Sequence, residues 1–138
     1  MTPHAYTKAS KAYQRKSDDN LSPLQIVVEL YRGMIRNTIS AKKNYEAGHL
    51  DLMTNDITKT FNIIEALQAN LDLGAGEDAQ FLNRFYNVVF AALRDATSKP
   101  NPSKEFDNIA GYIQEVYNRW YVMAYGRADN AGAEAQQS

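Results

Sequence analysis

The sequence predicts an all-α protein: an antiparallel up-down four-helix bundle with a flexible N-terminal arm and a disordered C-terminal tail. Three observations lead there. Apolar residues recur at steps of three and four through four successive segments, the spacing that gathers side chains on one face of a helix. Glycine- or proline-marked breaks separate those segments, and no alternating strand pattern or hairpin signal competes with them. Helices of roughly 20 residues are ~30 Å long, and short connections between them favour antiparallel neighbours. The chain divides into an arm at 1–20, a bundle at 21–125 and a tail at 126–138.

The first helix has the clearest start. Ser22 is placed to cap it, Pro23 takes the first helical position, and Gln25 at the third completes a capping box, with Leu21 and Ile26 as a hydrophobic staple. Its apolar positions are Ile26, Val27, Leu30, Tyr31, Met34, Ile35 and Ile39, and Gly48 supplies a left-handed cap. The second helix runs from about Leu50 to Leu71 with a stripe of Met53, Ile57, Phe61, Ile64, Leu67 and Leu71, and Gly74 and Gly76 end it. The third, Glu77 to Thr97, has Leu82, Phe85, Val89 and Leu93 on its main face and Phe81, Tyr86, Val88 and Phe90 beside it. After the break Lys99-Pro100-Asn101-Pro102, Asn101 and Pro102 can cap a fourth helix from Ser103 to Tyr125. There Phe106, Ile109, Ile113, Val116, Trp120 and Met123 form the stripe, with Tyr117, Tyr121 and Tyr125 to one side. Gly33 stands inside the first helix, where glycine costs ~1 kcal/mol relative to alanine. Close approach of another backbone explains it, with a neighbouring helix of the same bundle favoured over a partner.

Composition narrows the function. The chain has 138 residues, enough for one domain with a real core. Fifteen Lys and Arg nearly cancel sixteen Asp and Glu, so no global field draws it to nucleic acid or a membrane. With no cysteine there are no disulfides, thiolate nucleophiles or cysteine-held zinc, which fits a reducing compartment. The opening residues lack an apolar signal region and no later run reaches the ~20 apolar residues of a membrane span, so a cytoplasmic location is expected. Nine tyrosines in so short a chain suit a contact surface, because tyrosine buries area while keeping a polar tip.

Reactive chemistry is hard to assemble from these residues. A di-iron bundle needs paired Glu-x-x-His motifs, and only Glu46–His49 has that spacing, at a glycine-terminated helix end where a surface or capping role is expected. Gly74-Ala75-Gly76 lacks the Lys-Ser/Thr and the preceding strand of a phosphate loop. No nucleophile has a local base. Neither catalytic residues nor a metal site nor a cofactor is expected. The arm interleaves Lys8, Lys11, Arg15 and Lys16 with Tyr6 and Tyr13, but Asp18 and Asp19 follow at once, which argues against a single-strand binder.

The apolar surface exceeds what one core needs. The first helix has doublets at Ile26-Val27, Leu30-Tyr31 and Met34-Ile35, and the third and fourth are similarly wide. Such a surplus suggests grooves that accept an amphipathic helix through anchors at i, i+3/i+4 and i+7. An uncovered groove invites aggregation, and an arm bearing Tyr6 and Tyr13 could cover it until a partner displaces it.

The ordered set of motifs resembles the flagellar secretion chaperone family, FliS. Ala12-Tyr13-Gln14 is followed by a polar stretch, Ser22-Pro23 and then Leu30-Tyr31-Arg32-Gly33. Further on stand Asn55-Asp56-Ile57, Ile63-Ile64-Glu65-Ala66-Leu67 and Asn70-Leu71-Asp72, then the aromatic third helix with Tyr86 and Leu93, and Trp120 in the last. The similarity covers about residues 10 to 124, with departures at Ser10, Arg32, Ala91-Ala92 and Thr97. The resemblance implies a chaperone that binds the C-terminal helical segment of flagellin, blocks premature polymerisation and keeps the segment competent for type III secretion. It implies partner contacts at Tyr13, Tyr31, Ile35, Ile57, Phe61 and Ile64. Contact with the export apparatus and a monomeric or weakly dimeric state stay open, as does the alternative of a generic helical adaptor for another protein.

Overall fold

The computed structural model describes residues 3–6 and 21–129, and within them every regular element is helical. Helix α1 spans Pro23–Glu46, α2 Leu50–Ala69, α3 Glu77–Asp95 and α4 Pro102–Tyr125. Short 3-10 turns at Leu73–Ala75 and Ala96–Ser98 occupy two of the connections, and a third, Pro3–Tyr6, lies at the N-terminal end. The expected four-helix bundle is what forms. Most of the expected arm, including Tyr13, and the tail beyond Asp129 lie outside the described residues.

The helix ends follow local chemistry. Ser22 Oγ accepts from the Gln25 backbone N–H at 3.2 Å while Gln25 Oε1 accepts from the Ser22 N–H at 2.9 Å, so two donors that the helix leaves unpaired are satisfied reciprocally. Gly48 follows α1 at φ 76°, a conformation that side chains with a Cβ rarely adopt. At α4 the Asn101 side chain accepts from the Lys104 N–H with Pro102 at the first helical position, and left-handed Gly126 closes the far end. α3 stops at Asp95 because the last turn tightens into 3-10 geometry before Lys99 and Pro100.

The helices do not pack equally. α1 runs in close backbone contact with both α2 and α4, whereas α3, across the bundle, meets its neighbours mainly through large side chains. Gly33 allows the α1–α2 approach: a Cβ there would lie 3.1 Å from Ile63 Cδ1, so the interior glycine is packed against a helix of the same bundle. Asp56, 8% exposed, strengthens this seam by accepting from Ser40 Oγ at 2.7 Å and Asn44 Nδ2 at 2.8 Å. The opposite side is aromatic. Tyr31 of α1 stacks near Phe85 with centroids 6.2 Å apart, Phe85 lies 5.0 Å from Tyr112 of α4, and Phe61 of α2 stacks on Phe90 of α3 at 4.2 Å.

Candidate functional site

At the heart of the bundle lies a chain of three tyrosine hydroxyls. Tyr86 Oη is 2.6 Å from Tyr31 Oη and 2.6 Å from Tyr6 Oη, and all three side chains are buried. Tyr31 and Tyr86 come from α1 and α3, but Tyr6 comes from the N-terminal turn, eighty residues away from Tyr86. Pro3 opens that turn, and the Ala5 carbonyl accepts from the Asp72 backbone N–H at 3.1 Å, fixing it over the α2–α3 connection. Tyr6 thereby inserts its ring 5.5 Å from that of Trp120, completing an aromatic cluster from α1, α3 and α4.

The hydroxyl chain makes this cluster polar at one line and apolar elsewhere. Burial pushes the Tyr86 phenol well above its ordinary value, and the neighbouring Tyr31 and Tyr6 add to the shift. Burial likewise raises Tyr31, opposed in part by its bond to Tyr86. Both phenols remain protonated, as hydrogen bonding between neutral hydroxyls requires. The buried indole N–H of Trp120 lies beside Tyr31 and also opposes the rise of that phenol, although its geometry falls short of a full hydrogen bond to any described residue.

The remaining contact candidates fall into separate places. Tyr31 and Ile64 are core residues. Phe61 is half-buried where α2 meets α3, against Phe90, and Ile57, also half-buried, precedes it by one turn. Ile35 instead lines a groove between α1 and α4, together with Arg32, Ile39 and Tyr117. The structure therefore brings Ile57 and Phe61 together and sets Ile35 apart, while Tyr13 lies outside the described residues. Apolar side chains standing in solvent include Val88 on α3 and Tyr112 and Val122 on α4. The sequence reading named Tyr6 only as a cover and did not single out Tyr86 as its partner. An aromatic behind Pro-His-Ala in a polar stretch is a weak signal, and the pairing spans most of the chain.

The Glu46–His49 spacing has a simple structural use. Glu46 accepts from Ser103 Oγ at 3.1 Å, tying the end of α1 to the start of α4, and His49 occupies the N-cap position of α2. Among the described residues no group of three or more His, Cys, Asp or Glu side chains could hold a metal ion, and no helix is long and apolar enough to cross a membrane.

The fold is thus a four-helix bundle with half-buried apolar seams and a turn of its own chain seated against the core. The family model described as Flagellar protein FliS matches residues 6–126, and the chain belongs to that family of flagellar export chaperones. No curated protein matches the chain.

Proposed function

We propose that the chain is a cytoplasmic, non-catalytic chaperone for the C-terminal helical segment of flagellin, which it holds against premature polymerisation and keeps competent for type III secretion. The observation that carries this reading is the seating of Pro3–Tyr6. A short helical turn with a buried aromatic anchor packs against Tyr86 and Trp120, which supports reading its seat as one that an incoming helical segment takes once the turn is displaced. The seam at Ile57 and Phe61 and the exposed flank at Val88 would extend the contact along the bundle. Ordering a flexible partner offsets part of the gain from burial, which keeps affinity moderate and allows release at the export machinery.

Calorimetric titration with the last ~60 residues of the cognate flagellin, a length suited to a segment that wraps several helix grooves, tests the proposal. Saturable one-to-one binding with a negative heat-capacity change supports it. A chain lacking residues 1–8 should bind the same segment more tightly and take up more of a dye that reports exposed apolar surface. Absence of binding by both forms, with the segment confirmed soluble, would refute it.

A further inference from the structure

The groove between α1 and α4 has a chemistry different from the aromatic cluster. Its volume is about 500 Å³, and Ile35 and Ile39 are its apolar wall residues, Ile39 being 41% exposed. Arg32, Arg36 and Lys43 line it from α1, and Gln114 and Tyr117 from α4. Residues 32, 36, 39 and 43 repeat at steps of four, three and four, so the cations and Ile39 share one face of α1. Arg36 and Lys43 are exposed, and among the described residues neither has an ion-pair partner.

One end of the groove already holds a carboxylate. After the Gly126 cap the chain turns back, and Asp129 Oδ2 accepts from Tyr117 Oη at 2.5 Å with Arg32 Nη2 3.8 Å away. Arg32 Nε donates to Tyr117 Oη at 3.0 Å, its guanidinium lies 5.9 and 5.7 Å from the Tyr117 and Tyr121 ring centroids, and Glu29 holds its other side. Arg32 is thus a fixed, oriented cation. The α1 face beyond it repeats the same charge without a counter-ion.

We propose that this groove docks an acidic amphipathic helix of a partner protein, with carboxylates meeting Arg36 and Lys43 and an apolar side chain on Ile39, and that Asp129 is the resident competitor for the third carboxylate position at Arg32. The apolar wall between the cations selects a protein helix over a nucleic-acid backbone, which would set phosphate or sugar against Ile39. The site goes beyond flagellin binding at the aromatic cluster and does not depend on it. It makes Asp129 the group to be displaced, because an incoming carboxylate at Arg32 must replace it.

The test uses the full-length chain and a fluorescent helical peptide of about 18 residues, long enough for the ~17 Å from Arg32 to Lys43 along α1. The peptide places Glu at i, i+4 and i+11 and Leu at i+3 and i+7; its control replaces every Glu with Gln. Saturable binding of the Glu peptide should weaken by roughly tenfold in the Gln peptide, since three exposed pairs of about twofold each multiply. Arg36→Glu and Ile39→Asp should each weaken it further, and Asp129→Asn should tighten it severalfold. These positions are exposed or near the end of the chain, and unchanged circular dichroism will show that the variants fold. Equal binding of Glu and Gln peptides, no effect of Arg36→Glu, or no saturable binding by either the parent or Asp129→Asn would overturn the proposal. Parallel titration with the flagellin segment separates this outcome from the chaperone reading, because that segment can bind whether or not the groove does.

Discussion

Replacing Tyr86 by Phe removes one oxygen from the core and takes one hydrogen bond from each of two others. The hydroxyls of Tyr6 and Tyr31 each lie 2.6 Å from the deleted atom, in side chains that are 1% and 0% exposed. A buried hydroxyl left unsatisfied is destabilising by about 1–3 kcal/mol. Tyr31 cannot reach water without opening the bundle and keeps only the Trp120 indole as a polar neighbour, so it bears most of that loss. Tyr6 can swing out with its short turn, so its share is capped by the free energy of seating the turn. The expected loss is about 2–4 kcal/mol, a fall in the urea midpoint of about 1–2 M for a domain of this size. Trp120, the single tryptophan, lies beside both Tyr6 and Tyr31 and reports unfolding by its fluorescence. The decisive comparison is the triple variant Tyr6→Phe, Tyr31→Phe, Tyr86→Phe, which has no hydroxyl left to orphan and should recover much of the loss. A single Tyr86→Phe within about 0.5 kcal/mol of the parent, or a triple variant less stable than the single, would refute this account.

Three further outcomes follow from the packing. The buried tyrosines should make stability fall as pH rises above 10 and contribute no slope at neutral pH. Tyr31, Tyr86 and Tyr117 are all raised from 10.0, Tyr117 up to about 12 by burial and its bond to Asp129, so the folded state keeps protons that the unfolded chain releases. Thermal scans between pH 9 and 12 should show a slope of about 1.4 kcal/mol per pH unit for each proton retained, made shallower by Tyr117→Phe. Asp56→Ala should destabilise by about 2–3 kcal/mol in urea unfolding, since Ser40 and Asn44 lose a charged acceptor in the α1–α2 seam. The two helical glycines should respond oppositely to enlargement: Gly111→Ala, which meets nothing within 4 Å, should gain about 0.5–1 kcal/mol, and Gly33→Val, pressed on Ile63, should lose about 1–3 kcal/mol, both read from thermal midpoints.

Helix limits and packing faces were readable from the chain because their causes are local. The Ser22–Gln25 box, the Pro102 start and the Gly48 stop each act within a few residues, and the structure shows all three. Gly33 announced a close contact because interior glycine is otherwise unfavourable, and Ile63 is that contact. Periodicity does not say which helix lies on which flank. The facing of Ile35 and Ile57 was therefore not readable: Ile35 lines the α1–α4 groove while Ile57 lies one turn from Phe61, which stacks on α3. Asp56 appeared only as part of a motif, since its burial depends on Ser40 and Asn44 arriving from another helix. Tyr6 and Asp129 sit in polar segments whose composition argues for solvent. Each is held instead by a hydroxyl supplied from far along the chain, Tyr86 for the first and Tyr117 for the second.

The unequal spacing of the helices has a mechanical consequence. The α1–α2 seam is keyed by Gly33 against Ile63 and by the hydrogen bonds of Asp56, so sliding one helix along the other would break directional contacts. α3 rests more on flat rings at Phe85 and Phe90, with directional bonds from Tyr86 to Tyr31 and from Gln68 to Asn83 and Asn87. Contacts of area tolerate offsets better than directional ones, so the register of α3 rests on those few hydrogen bonds, whereas α1 and α2 are keyed along their seam.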